Sequence, residues 1–338
     1  MSSPDPPRRI LLVRTSALGD VVHALPVLAA VKRHLPGARV AWVIDEAFAP
    51  LLAGHGLLDG VIPVPLRRWR RGGSGRAREL ARFVASLRAF RADVAIDLMG
   101  NHKGALLARL SGAHRRLGAR RADRREPASA LWLNETVAVA AGQHAVDRGL
   151  ALLAPLGVPA APADFAAAEL ACGRDRRIAG APVFLHPGAA WDNKRYPPEL
   201  WGRVASGLAR RLSAAVLVGA AAGEGALADA VVAASDGRAH RLDAPDLATL
   251  AGAIRGARLV LAGDTGAAHL AHALGVPVLA VHGPTDPALH GPYRTPGAVA
   301  VRQLPCSFCH RRMDGARPCL LGLPPEVVIE RAAARVAV

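Results

Sequence analysis

At 338 residues the chain exceeds the roughly 100–200 residues of an ordinary single domain, which points to two domains of similar size. A hydrophobic content of 51% against 21% charged residues supplies real cores and excludes wholesale disorder. The excess of 43 Lys and Arg over 27 Asp and Glu gives a formal charge of +16, which favours an anionic partner such as a nucleic acid, an anionic membrane surface or a phosphorylated substrate.

Arg9-Ile10-Leu11-Leu12-Val13-Arg14 is a short continuous apolar run, as expected of a strand buried on both faces. It is too brief for the apolar core of a signal peptide, so a cytoplasmic chain is expected. Thr15 to Gly19 read as a turn. From Asp20, apolar residues at Val21, Leu25, Leu28, Val31 and Leu35 recur at helical spacing until Pro36-Gly37 closes the helix. Further strands are predicted at 38–44, 60–64 and 93–98, with helices between them and a Gly/Ser/Arg loop at 70–76. The Pro- and Ala-rich stretch 155–164 reads as a linker. Beyond it, strands are predicted at 183–186, 215–218, 259–262 and 278–281. The apolar run 214–233 is interrupted by Glu224 and Asp229, so it falls short of the roughly 20 residues of a spanning helix and membrane contact is expected to be peripheral. This β–α alternation predicts an α/β fold of two Rossmann-like domains facing a central cleft. Their boundaries are placed at 1–160 and 161–322, with a closing helix at 323–338.

In open α/β sheets, ligands bind beyond the carboxyl ends of the strands. Asp20 sits at such a place and reads either as a helix N-cap or as a general base. In the second half, His186-Pro187-Gly188-Ala189-Ala190 follows a strand, and Asn193-Lys194-Arg195 places cations before a helix starting near Pro197 or Pro198. Gly263-Asp264-Thr265-Gly266-Ala267-Ala268-His269 takes a strand into a helix, either as a diphosphate site at a positive helix end or as a structural junction. The run Arg67-Arg68-Trp69-Arg70-Arg71 reads as an anion-binding segment, a solvated basic loop or an RNA contact. Trp69 is placed to stack on a sugar or a base, but an aromatic content of 4% argues against a nucleic-acid stacking platform. Cys306-Ser307-Phe308-Cys309 with Cys319 and His310 reads as a zinc site or as a packed loop. A second CxxC is missing and His310 adjoins Cys309, which favours the loop. His55, His102 and His240 are isolated and read as surface or packing residues.

Several separated segments resemble the bacterial lipopolysaccharide heptosyltransferases, a family of GT-B fold. Arg14-Thr15-Ser16-Ala17-Leu18-Gly19-Asp20 with His23-Ala24-Leu25-Pro26 resembles the family's opening signature. Asp264-Thr265-Gly266 with His269 resembles its nucleotide-sugar signature, and Gly283-Pro284-Thr285-Asp286-Pro287 follows as the family pattern does. More narrowly, Val61-Ile62-Pro63-Val64 ahead of the arginine run, Arg125-Glu126-Pro127 and Gln143-His144-Ala145-Val146-Asp147-Arg148 resemble the branch that adds the first heptose to Kdo-lipid A.

The resemblance implies an inverting transfer from ADP-heptose with Asp20 as catalytic base. It also implies that Arg67, Arg68, Arg71 and Arg125 meet acidic groups of a Kdo-lipid A type acceptor at the inner face of the inner membrane, and that Lys194, Glu224, Asp264, Thr265, Gly266 and His269 handle the donor. Glu224 reads equally as a negative charge favouring its helix start. No cofactor, metal or nucleic acid is expected. Two competing classes are a transferase of another sugar or to a later surface-polysaccharide acceptor, and a non-catalytic nucleotide-sugar or nucleic-acid binding protein. A dinucleotide oxidoreductase is disfavoured because no G-x-G-x-x-G follows the first strand.

Overall fold

Ile10, Leu11, Leu12 and Val13 have no solvent-exposed surface, and they form the centre of the first of two sheets. The computed structural model describes residues 6–72, 75–172, 180–221, 223–244 and 246–336, with all their side chains except those of residues 70 and 71. Its chain divides into two compact units, Met1–Ala171 and Cys172–Val338.

The first unit runs β1 (Arg9–Val13), α1 (Leu18–His34), β2 (Arg39–Asp45), β3 (Gly60–Val64), α2 (Leu66–Arg71), α3 (Arg76–Ala89), β4 (Val94–Asp97), α4 (His102–Leu110), β5 (Arg115–Ala119), β6 (Glu135–Val137) and α5 (Ala145–Ala151). Its sheet has the order β3-β2-β1-β4-β5-β6 with every pairing parallel. Parallel pairing covers both faces with helices, which is why the central strands are continuous apolar runs. On one face Leu11, Val13, Ala41, Val43 and Ala95 pack against Phe83 and Leu87 of α3 and Leu107 and Ala108 of α4.

The second unit runs β7 (Val183–His186), α6 (Pro198–Leu212), β8 (Val216–Gly219), α7 (Gly225–Ala233), β9 (Ala239–Leu242), α8 (Leu247–Arg255), β10 (Leu259–Gly263), α9 (Gly266–Ala273), β11 (Val278–His282), α10 (Pro287–His290), β12 (Val299–Val301), α11 (Pro318–Leu321) and α12 (Pro325–Ala334). Its parallel sheet has the order β12-β11-β10-β7-β8-β9. Counted from its own first strand, each sheet therefore has the order 3-2-1-4-5-6, with a topological switch point between first and fourth strands. Val328 and Ala332 of α12 join the core that Trp201, Val204 and Leu208 of α6 build against the sheet.

Each strand predicted from the sequence is present within a residue or so of its expected ends. Four short strands, β5, β6, β9 and β12, were not anticipated. The first helix begins at Leu18, and its N-cap is Ala17, so Asp20 stands in its first turn and is not the cap. The segment 155–164 belongs to the first unit, where Leu156 and Val158 are buried and Asp164 pairs with Arg33 at 2.7 Å. Part of the loop at 70–76 lies outside the described residues. Among the described residues, no helix is long and apolar enough to cross a membrane.

Candidate active site

Because all strands of a sheet run parallel, their carboxyl ends lie along one edge, and the chemistry-bearing residues follow them there. After β1 the chain turns through Thr15, whose backbone oxygen accepts from the Asp45 amide at 3.0 Å. The backbone oxygen of Arg14 accepts from the Trp42 indole at 2.9 Å. This tethering fixes where α1 starts. Asp20 then accepts from the Ala17 amide at 3.0 Å and ion-pairs with Arg14, whose guanidinium also donates to the Leu98 carbonyl. Ala17 has no side-chain oxygen, so only the return half of a capping box is made. The Asp20 side chain remains 40% exposed. His23, one turn later, is buried and packs edge-on to His144 at 5.0 Å between ring centroids.

The predicted acceptor cations also follow strands of the first sheet. Arg67 and Arg68 lie on α2, directly after β3, and both are exposed. Arg67 sits 5.6 Å from the centre of the Phe48 ring, and Arg68 lies 3.5 Å from both Glu46 and Glu79. Trp69 is turned inward. It packs edge-on to Phe83 and donates to Glu79 at 2.9 Å, so it is a wall of the core and not an open stacking surface. The side chain of Arg71 lies outside the described residues.

Arg125 is exposed beside a buried support. Its neighbour Arg124 has a fully buried side chain that donates to Asp97 at 2.5 Å, Ser129 at 2.7 Å and the Ala119 carbonyl at 3.3 Å. Glu126 accepts from the His102 amide at 2.7 Å and its own amide donates to Gly100 at 3.1 Å, tying this segment to the loop after β4.

In the second unit, Asp264 follows β10 and is almost wholly buried. It accepts from Lys194 and from the Thr285 hydroxyl, each at 2.6 Å, and lies 3.7 Å from His269 of α9. Burial alone would raise this carboxyl, but the His269 hydrogen bond with the nearby His282 and Lys194 holds it well below the usual carboxylate range. Lys194 also lies 4.5 Å from the centre of the Trp191 ring. Gly263 permits this approach, because a β-carbon there would meet the Lys194 carbonyl at 3.2 Å. Thr265 is the N-cap of α9 and Gly266 its first residue, with no side chain capping that end.

One strand over, the Glu224 carboxylate accepts from the Ala221 amide at 3.2 Å and lies 3.6 Å from His186 at the end of β7. It also occupies the space that a β-carbon on Gly188 would fill. Burial pushes the imidazoles of His186 and His282 down.

Lys194, Asp264 and His269 thus come together beside the Thr265-Gly266 helix start. Glu224 stands with His186 and Gly188 beyond the neighbouring strands. Thr285 and His282 complete the Asp264 cluster and were not among the expected site residues, although His282 ends a buried strand as His186 does. Cys306 is exposed and Cys319 buried, and no group of three His, Cys, Asp or Glu among the described residues is arranged to hold a metal ion.

The family profile of glycosyltransferase family 9, the heptosyltransferases, matches residues 80–319. The chain is 36% identical to lipopolysaccharide heptosyltransferase 1 of Pseudomonas aeruginosa, over 92% of this chain and 88% of that protein. It is 34% identical to the Escherichia coli protein of the same name, over 84% and 91%. Among solved structures it is similar to the E. coli heptosyltransferase WaaC with ADP, with a TM-score of 0.81 and 30% identity over 97% of this chain and 99% of that one. It is also similar to WaaC with ADP-2-deoxy-2-fluoro heptose, with a TM-score of 0.78 and 30% identity over 95% and 98%.

Proposed function

The chain belongs to glycosyltransferase family 9, the heptosyltransferases, and from that premise we propose that it transfers a heptose from ADP-heptose to a Kdo-lipid A type acceptor in lipopolysaccharide core assembly. The observation that carries the donor half is the cluster of Lys194, Asp264, Thr285 and His269 beside the uncapped start of α9, in a fold shared with a relative whose structure holds an ADP-heptose analogue.

The reaction is read as a single displacement. An acceptor hydroxyl attacks the anomeric carbon while Asp20 takes its proton, the bond from that carbon to the diphosphate oxygen breaks, and ADP leaves with inversion. Charge growing on the leaving diphosphate falls to Lys194 and to the backbone amides near Thr265 and Gly266, an electrostatic role that does not call for a metal. His269 and Thr285 hold the Asp264 carboxylate, which in turn aims Lys194. Glu224, above Gly188, is assigned to the donor's ribose hydroxyls, for which an accepting carboxylate is the fitting partner. Arg67, Arg68, Arg71 and Arg125 are assigned to the carboxylates and phosphates of the acceptor, which a guanidinium grips in a bidentate fork. With a lipid-borne acceptor, the enzyme works peripherally at the inner face of the inner membrane.

The test is ADP release from ADP-heptose with Kdo-lipid A, with acceptor already carrying a heptose, and with no acceptor. Release with Kdo-lipid A alone supports the proposed step. Release only with the heptosylated acceptor moves the enzyme to a later core step, and silence with both overturns heptose transfer to this class of acceptor.

A further inference from the structure

Among the described residues five large apolar side chains are exposed, and four of them belong to the first unit: Leu80, Leu106, Leu131 and Trp132. Three of these lie together. The turn 127–132 packs on α4, and the Trp132 indole reaches the His102 ring nitrogen at 3.4 Å. Leu106 lies one turn along α4 from His102 and so shares its face. Leu131, beside Trp132 in this short 3-10 helix, is 83% exposed. Leu80 stands on α3, which packs beside α4 on the same side of the sheet and whose Arg88 donates to the Leu110 carbonyl at 3.2 Å.

The surroundings of this apolar ridge are basic. Exposed Arg109 follows Leu106 by three residues on α4, exposed Arg82 accompanies Leu80 on α3, and exposed Arg125 precedes the turn. The nearby acids Glu126, Glu79 and Asp123 are engaged within the protein, Glu126 by the His102 amide, Glu79 by Trp69 and Arg68, and Asp123 by Arg120. Here a leucine stands almost free beside a half-exposed tryptophan, with a further exposed leucine on the packed helix and arginines around them. That combination suits the boundary of a lipid bilayer, where apolar side chains enter the acyl region, an indole sits at headgroup level and arginines meet anionic headgroups.

We propose that Leu106, Leu131 and Trp132, with Arg109 and Arg125 beside them, form the surface by which this protein docks on an anionic lipid bilayer. The inference rests on the reading of the acceptor as lipid-borne, and it adds the orientation: the carboxyl-end segment carrying Arg125 is held against the membrane, where the acceptor's charged groups are displayed. Membrane binding then raises the local concentration of acceptor at Arg125.

The experiment is co-sedimentation of the full chain with vesicles of phosphatidylcholine alone and of phosphatidylcholine with phosphatidylglycerol, neither containing acceptor. Binding is expected to the anionic vesicles, to weaken with added salt, and to fall roughly tenfold or more in the L106S/L131S variant because two apolar insertions are lost. L321S, which alters the exposed leucine of the second unit, should bind as the parent does, and circular dichroism should show both variants folded. ADP release with detergent-dispersed Kdo-lipid A is read in parallel, and L106S/L131S should retain it. Parent protein that ignores anionic vesicles, or L106S/L131S that binds them undiminished, overturns the surface even when transfer is active. Silent transfer with intact vesicle binding overturns the acceptor reading and leaves the docking surface standing.

Discussion

The guanidinium of Arg124 donates to the Asp97 carboxylate at 2.5 Å, and neither side chain has any exposed surface. Burial pushes the Asp97 carboxyl up, and Arg124 with the Met99 amide opposes that push. A buried pair of this kind contributes little over an apolar replacement, but removing one partner leaves an uncompensated charge. Arg124→Met should therefore destabilise the protein by roughly 3–5 kcal/mol in urea unfolding. The double change with Asp97→Leu should recover much of that loss. If the double variant is no more stable than the single one, the pair is not the source of the effect.

Asp20 is the proposed base, and a positioned base contributes roughly 10²–10⁴-fold to rate. Asp20→Ala should lose that much in kcat while donor affinity, measured by calorimetry with ADP-heptose, stays within about twofold. Asp20→Asn is the sharper variant, because its amide oxygen still accepts from Ala17 and the start of α1 is kept. Turnover surviving in Asp20→Asn would remove Asp20 from the chemistry.

Gly188→Ala isolates the Glu224 carboxylate. The added methyl group would meet the end of a flexible side chain, which can swing away, so stability should change by no more than about 0.5 kcal/mol. Donor binding should suffer, with KM for ADP-heptose rising on the order of tenfold because one charge-assisted hydrogen bond to the ribose is displaced. An unaltered donor KM would mean that Glu224 does not touch the donor.

His186 and His282 set a pH dependence. Both are buried, each with one ring nitrogen lacking a hydrogen-bond partner, and burial lowers both from the ordinary 6.5. The unfolded chain therefore takes up protons first as the pH falls, so stability is full above about pH 6.5 and declines below it. His282→Gln should unfold with a shallower loss between about pH 6.5 and pH 5 than the parent, as read from urea midpoints. A steeper loss in the variant would contradict the sign.

Central strands were legible in the sequence because both of their faces are covered: Leu11, Val43, Ile96 and Leu261 sit in unbroken apolar runs that the pleat alone would not require. Strands toward the edges were not legible. β5 begins Arg115-Arg116, with Arg115 pairing to Glu135 of β6 at 2.7 Å, so their polar residues satisfy one another across strands while reading as loop. The site was legible at strand-to-helix junctions, where Asp20 and the Asp264 turn interrupt apolar runs. Thr285 was not singled out because its bond to Asp264 spans 21 residues of chain, and His282 because nothing in its local sequence marks it until the fold sets it beside Asp264.

Both sheets have the order 3-2-1-4-5-6, and in both an aspartate stands at the carboxyl end of the fourth strand: Asp97 as the last residue of β4, and Asp264 directly after β10. The two sheets thus repeat one topology, in which the acid at the equivalent position has different neighbours. In the first sheet an arginine from 27 positions along buries the acid in an ion pair, and in the second a lysine from 70 positions back meets it at the proposed donor site. Exchanging the cations between the two sheets would ask whether the acid's neighbour, more than its address, determines which task it performs.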